Sequence, residues 1–285
     1  MNLPEIAVYN FSSKSDAEVQ RAVRSINRQV TEDFLPIWGG GYLCSLKNHT
    51  FVGNPDEDIA NEPVTAEAAM YIVDESHLQG AAGYHFMNGR EVPYGFVFTE
   101  ANNWTITFSH EVLELTMDPN ANCFVPGPDP RPGQNGIVLH TYEVCDAVER
   151  TSYVIDDVAV SNFVTPQYFV DGNANGTRND FLGTKLKSFK ALPGCHLGFF
   201  DLATNEWETF VQPGNLADTL AAKLAAKSSG GRVERTSDER VPNAARAIQE
   251  AIKKTSNKGA REILEYALRR DAYRLEIEST KKKNK

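Results

Sequence analysis

The chain has 285 residues, a net charge of −9 at pH 7 and 41% hydrophobic residues, which is enough for one large domain or one domain with an appendage. No apolar run reaches the roughly 20 residues that span a bilayer, and no signal-peptide pattern opens the chain, so we expect a cytoplasmic protein or one carried in a virion or other assembly. The four cysteines are too widely spaced for a zinc ribbon, and we expect buried thiols, with a Cys123–Cys145 disulfide as the alternative.

The first hundred residues alternate short apolar runs with turn signals, a pattern that predicts strands beside one helix. Ser15 opens a capping-box pattern, so we expect the helix to begin there and to run to about Phe34, where Pro36 and the glycines at 39–41 end it. Asn88 and the following glycine form a turn dipeptide that joins two strands. The predicted strands are Glu5–Tyr9, Tyr42–Leu46, Ala68–Val73, Gly80–Met87 and Tyr94–Thr99, with a polar loop over Asn48–Pro63.

A second helix is predicted from Trp104 onward, with Asn102 or Asn103 as its cap and Pro119 at its end. Its sequence is apolar on most sides. Strands followed by a helix in this order predict a three-layer α/β arrangement.

This second helix carries the pattern His-Glu-x-x-Glu. His110 and Glu114 are four residues apart, so their side chains leave the same helix face about 6 Å apart at Cβ. That spacing suits two ligands of one metal ion, and Glu111, one residue further round, could reach a metal-bound water. Solvent-facing charges are the alternative, but we favour a metal site because unpaired charge in so apolar a helix is costly.

The third ligand must come from elsewhere in the chain. Asp118 lies eight residues beyond His110, about 12 Å along a helix, which is too far to share one ion. We predict Glu143, with His140 and Asp146 as alternatives. The competing interpretation is that these three are surface residues at the end of a strand.

The middle of the chain is predicted to be a long proline-rich surface loop, 118–136, followed by strands at 137–144, 154–164 and 197–200. Residues 171–180 resemble the start of a calcium-binding loop, but Leu182 stands where the closing glutamate belongs. A turn built on glycine and asparagine is therefore favoured there, with Ca²⁺ as the alternative.

The C-terminal segment differs in charge from the rest. Residues 216–285 hold 17 basic and 10 acidic residues, whereas the remainder holds 12 basic and 28 acidic residues. Leucine, isoleucine and alanine recur at helical spacing on both sides of a polar linker at 228–240. We predict a helical, basic extension over 215–285 that docks on a protein partner or oligomerises, rather than a solvated hairpin. The segment lacks interleaved aromatic residues, so nucleic acid is not predicted as its ligand.

Three segments together resemble a poorly characterised group of bacterial and phage proteins with a zincin-like metallopeptidase core. They are Ser109–Pro119, which contains the His-Glu-x-x-Glu pattern, Tyr142–Glu149 and Val160–Phe169. The resemblance covers about Ile6–Val211 and implies an α/β (α+β) domain over 1–214, with a mixed sheet beside the active-site helix and a zinc ion in a cleft. The chain departs from the peptidase motif at Glu114, where histidine is usual.

These patterns predict a zinc-dependent metallopeptidase that acts on a protein or peptide. Glu111 would take a proton from water and pass it to the leaving amine, and Tyr168 or Tyr153 would stabilise the oxyanion. The first alternative is a catalytically inert zincin-like scaffold that serves as a structural or binding component of a larger, phage-derived assembly. The second is a metal-free domain whose acidic surface binds a basic partner.

Overall fold

The computed structural model describes residues 3–49, 64, 66–76, 81–88, 90–100 and 103–214. These residues form a mixed α+β protein with few helices. Most of the predicted polar loop and the whole predicted C-terminal extension lie outside the described residues. No helix among the described ranges has both the length and the apolar character needed to cross a membrane.

The chain divides into two compact units. The first comprises Met1–Ala121, Glu143–Pro166 and Asp180–Thr184. The second comprises Asn122–Tyr142, Gln167–Asn179 and the segment that begins at Lys185. The predicted metal ligands on the second helix belong to the first unit.

A five-stranded mixed sheet forms the centre of the first unit, in the order β2-β1-β3-β5-β4. Four strands run parallel to their neighbours, and β4 pairs antiparallel with β5 as the predicted hairpin. Alternate residues on one face form a buried aromatic cluster that includes Tyr9, Tyr71 and Phe96. The strands are β1 (Glu5–Asn10), β2 (Leu43–Lys47), β3 (Ala68–Val73), β4 (Gly83–Met87) and β5 (Pro93–Phe98).

The first helix, α1 (Asp16–Arg28), begins at the predicted capping box, in which Ser15 and Glu18 satisfy each other's backbone amides. It continues through a π-helical segment, Gln29–Phe34, into a short helix, α2 (Leu35–Trp38). The expectation that Pro36 ends the helix is wrong. Pro36 lies in the first turn of a new helical segment, where a backbone N–H would have no carbonyl partner within the helix, so its absence costs nothing. The end comes at Gly39, whose φ of 78° lies in the left-handed region that favours glycine.

The second predicted helix is α3 (Trp104–Met117), with Pro119 just beyond its end. Asn103 occupies the predicted cap position, but its side chain makes no capping hydrogen bond, and the other predicted cap, Asn102, lies outside the described residues. The helix packs against β4, β5 and β9 (Val158–Ser161), and β9 forms a hairpin with β8 (Ser152–Ile155). A single strand was expected over 154–164, but positive φ at Asp156 and Asp157 turns the chain back on itself.

The second unit contains a four-stranded antiparallel sheet in the order β11-β10-β7-β6. The strands are β6 (Phe124–Pro128), β7 (Ile137–Thr141), β10 (His196–Asp201) and β11 (Glu206–Val211). The prediction of an unbroken loop over 118–136 is therefore wrong. Pro126 and Pro128 fit in β6 because it is an edge strand, where residues without an amide hydrogen are tolerated.

All four cysteines are free and buried, as the sequence predicted. The alternative of a Cys123–Cys145 disulfide is therefore not adopted.

Candidate metal centre

Helix α3 brings the predicted ligand pair together. His110 Nε2 lies 3.0 Å from Glu114 Oε2, and both side chains are largely withdrawn from solvent. The interpretation as solvent-facing charges is therefore not supported, because the pair faces the interior of the first unit.

His85, on the neighbouring strand β4, also faces this helix, and it was not among the ligands predicted from the sequence. Its Nδ1 atom lies 3.5 Å from Glu111 Oε2 and 4.0 Å from Glu114 Oε2. Its Nε2 atom lies 3.2 Å from the backbone oxygen of Asp118, at the end of α3. The only signal in the sequence was a histidine inside a predicted strand that precedes the helix, and such a residue is more often an ordinary core residue.

A glycine allows strand β4 to lie this close to α3. A Cβ atom at Gly83 would come within 2.6 Å of Thr107 Cγ2 and 2.8 Å of the backbone oxygen of Phe96. It would also lie 3.0 Å from Glu111 Oε1. The missing side chain therefore contributes to the position of the Glu111 carboxylate beside His85.

The segment that follows β7, where a third metal ligand was predicted, supplies further side chains with atoms that can bind a metal ion. Asp146 Oδ1 lies 3.3 Å from His110 Nε2. The backbone N–H of Cys145 donates to Glu114 Oε1 at 3.0 Å, which holds that carboxylate in place. Glu143 Oε2 lies 3.9 Å from His85 Nε2 and accepts no hydrogen bond from the described residues.

Among the described residues, two sets of three side chains have possible ligand atoms within 4.8 Å of one another. One set is His110, Glu114 and Cys145, and the other is His85, Glu111 and Glu114. Imidazole, carboxylate and thiolate are the donors that zinc takes in proteins. Cys145 was expected to be only a buried thiol, and its place in the first set is a finding of the tertiary structure.

The carboxyl groups outnumber the imidazoles in this cluster. Glu111, Glu114, Glu143 and Asp146 face His85 and His110, so the cluster has a negative net charge when all four carboxyl groups are ionised, even with both imidazoles protonated. Excess buried charge is costly unless a cation offsets it. The donor types and the charge balance both fit a divalent metal ion.

The pKa values of both imidazoles respond to this charge. Burial alone would lower the pKa of His85, but the carboxylates of Glu143, Glu111 and Glu114 outweigh burial and raise the pKa to about 10. Burial likewise opposes protonation of His110, whereas Glu114 and Asp146 raise its pKa well above the ordinary value.

Two of the carboxyl groups shift in the direction expected for desolvation. Burial raises the pKa of Glu111, although the imidazoles of His85 and His110 lower it. Burial and the nearby charge of Glu114 raise the pKa of Glu143 well above its usual range. These groups bind a proton more tightly than ordinary glutamates when no cation is bound.

A buried hydrogen-bond network holds α3 in register with its neighbours. Ser109, just before His110, donates its hydroxyl hydrogen to Gln29 Oε1 at 2.6 Å and accepts the Ser161 N–H at 3.0 Å. Gln29 Nε2 donates to the backbone oxygen of Ser161 at 2.7 Å. The π-helical segment, α3 and β9 are therefore joined at one point beside the cluster.

The remaining sequence-predicted site residues lie as follows. Asp118 is buried at the end of α3, and its charge contributes to the raised pKa of Glu143. His140 belongs to the second unit, where its Nε2 lies 2.9 Å from the backbone oxygen of Pro128. Tyr153 donates its hydroxyl hydrogen to Asp33 Oδ2 at 2.7 Å.

Tyr168 is also in the second unit, where its buried ring packs against Phe169 and Phe189. Its role in stabilising an oxyanion stays a prediction.

Residues 171–180 form the turns that were favoured over a calcium loop, with positive φ at Gly172 and Gly176. Asn173 donates to the backbone oxygen of Gln167 and to Asn179 Oδ1, so side chains of the segment stabilise one another. Calcium binding there stays a prediction.

No protein-family model matches this chain, and a search of curated proteins also finds no match. The resemblance to zincin-like proteins therefore remains a hypothesis, and the functional argument depends on the site itself.

Proposed function

We propose that this protein is a zinc-dependent hydrolase of the metallopeptidase class, with a zincin-like core around α3. The proposal rests on one observation, the buried cluster in which His110 and Glu114 meet donors from the 143–146 segment. Clusters of buried titratable groups with strongly shifted pKa values are typical of functional sites.

His110 and Glu114 would hold the zinc ion, with a third ligand from the segment after β7. Glu143 was predicted for that place, but the imidazole that its carboxylate approaches is that of His85, at 3.9 Å, and not that of His110. Cys145 completes the compact donor set, and Asp146 also approaches His110 Nε2. Zinc would supply Lewis-acid activation of water and of a substrate carbonyl group.

Glu111 is the residue proposed to move the proton. Its side chain is buried, and burial raises its pKa, which makes the carboxylate a better proton acceptor. It would accept a proton from the attacking water and donate it to the leaving amine. His85, at 3.5 Å from Glu111 Oε2, orients this carboxylate.

The contact between His85 and Glu111 also favours a second candidate function, that of an inert scaffold that acts as a structural or binding component of a larger assembly. A carboxylate paired with a cationic imidazole is a weaker base, since the positive charge stabilises its ionised form. The replacement of the usual histidine by Glu114 also adds negative charge to the site. A scaffold of this kind would bind zinc without hydrolysing peptides.

Metal content and peptide hydrolysis test the proposal together. Protein purified without chelator should contain zinc, Glu114→Ala should lose it, and Thr116→Ala, on the same helix, should retain it. The wild type should cleave members of a mixed peptide library, and Glu111→Gln should not. Zinc without cleavage would support the scaffold, and equal zinc in wild type and Glu114→Ala would refute the assigned site.

A further inference from the structure

We infer that the centre holds two divalent metal ions that share Glu114, with His85 as a ligand of the second ion. The inference rests on the proposed metal-binding function and extends it from a mononuclear to a dinuclear site. In the second site, His85 and Glu111 take the places that His110 and Cys145 take in the first.

The positions of the donor atoms carry this inference. Glu114 is common to both compact donor sets. Its Oε2 atom lies 3.0 Å from His110 Nε2 and 4.0 Å from His85 Nδ1. Zinc bonds of about 2.0–2.3 Å in tetrahedral geometry place two ligands of one ion about 3.3–3.8 Å apart, which differs from both distances by only a few tenths of an ångström. Each imidazole can therefore share an ion with the same glutamate.

A bridging carboxylate is a known way to hold two ions. In two-metal hydrolases the ions lie about 3.5–4 Å apart and act on both oxygens of the reacting group. The backbone N–H of Cys145 fixes Glu114 Oε1 from one side, and the imidazoles approach Oε2 from two different elements, α3 and β4. Glu114 is thus held between two sets of donors.

The charge left by a single ion is a second, independent argument. An ion held by His110, Glu114 and Cys145 would leave two more carboxyl groups, those of the buried Glu111 and the half-buried Glu143, beside the single imidazole of His85. Glu143 Oε2 is shielded from solvent and accepts no hydrogen bond from the residues described here. A buried oxygen without a hydrogen-bond partner is rare in folded proteins unless it contacts a bound ligand, water or ion.

The second ion also changes the role of Glu111. A carboxylate bound to a cation is a weak base. In the dinuclear centre, Glu111 is a ligand, and Glu143, whose side chain is 18% exposed, is the carboxylate left to accept the proton from water. The inference therefore predicts loss of one ion in Glu111→Gln, whereas a mononuclear enzyme would keep its metal in that variant.

Zinc titration, followed by dialysis and elemental analysis, measures the number of ions bound. The wild type should retain two zinc ions per chain, His85→Gln and Glu111→Gln one, and Thr116→Ala two. With Co²⁺ in place of zinc, His85→Gln should keep the near-ultraviolet thiolate-to-cobalt band that arises from Cys145. Circular dichroism verifies that each variant is folded, and Glu111→Gln serves as the test if His85→Gln does not fold.

The outcomes separate the two proposals. One ion in the wild type, unchanged in His85→Gln and Glu111→Gln, would overturn the dinuclear centre and leave the proposed function intact. No bound ion in the wild type would overturn both. Two ions that both remain in His85→Gln and Glu111→Gln would show that the second ion is bound elsewhere, and would also overturn the inference.

Discussion

Replacement of Ser109 by alanine tests how firmly α3 is held beside the proposed metal centre. The hydroxyl group is fully buried and takes part in two hydrogen bonds, as donor to Gln29 Oε1 and as acceptor from the Ser161 N–H. Alanine removes both bonds at once and changes the volume of the side chain only slightly.

The expected loss of folding stability follows from the two partner groups that lose their hydrogen bonds. A buried polar group left without a partner costs about 1–3 kcal/mol. Gln29 Oε1 and the Ser161 N–H would both be left in this state, although Gln29 can relax in part because its Nε2 keeps its bond to the Ser161 oxygen. We therefore expect Ser109→Ala to lower the free energy of unfolding by about 3 kcal/mol.

Urea denaturation followed by circular dichroism measures this difference. Ser25→Ala is a matched control, because Ser25 is another fully buried helical serine, and its Oγ has no hydrogen-bond partner among the described residues. Removal of an unpaired buried hydroxyl should leave the stability unchanged or increase it. Similar losses in Ser109→Ala and Ser25→Ala would refute the reasoning, since the effect would then not come from the hydrogen bonds.

Two further predictions concern close packing and titration. Gly83→Ala should destabilise the protein by about 1–3 kcal/mol and reduce zinc occupancy, because the new Cβ would collide with Thr107 and with the backbone. Gly40→Ala, where a Cβ meets nothing within 4 Å, should change neither quantity. Burial lowers the pKa of His140 to about 4, so its contribution to stability is complete above the unfolded pKa of about 6.5 and is lost as the pH falls from 6.5 through 4. His140→Gln should therefore flatten the decline in unfolding free energy over that window by about 3 kcal/mol, and an unchanged slope would contradict this.

Local sequence signals predicted the elements that depend on local interactions. The capping box at Ser15 and the hairpin turn at Asn88 are satisfied by residues within a few positions. Helix α3 follows from its apolar composition and from Pro119 beyond its end. The shared face of His110 and Glu114 follows from helical geometry alone.

Elements that depend on distant partners were mispredicted or missed. Strand β6 resembles a loop because two of its five residues are prolines, and its pairing with β7 is what makes it a strand. The helix that contains Pro36 continues because a π-helical turn precedes it, and the local sequence did not indicate such a turn.

The amino-acid sequence by itself determined one half of the candidate centre, the imidazole and carboxylate one turn apart on a helix, because a helix sets the spacing of its own side chains. Only the tertiary structure decided the other half. His85 reaches Glu111 and Glu114 because antiparallel pairing places β4 at the edge of the sheet and Gly83 lets α3 approach it. The backbone N–H of Cys145 donates to the Glu114 carboxylate, although the two residues are 31 positions apart in the sequence. Such contacts arise from packing among elements distant in the chain, and no spacing along the sequence encodes them.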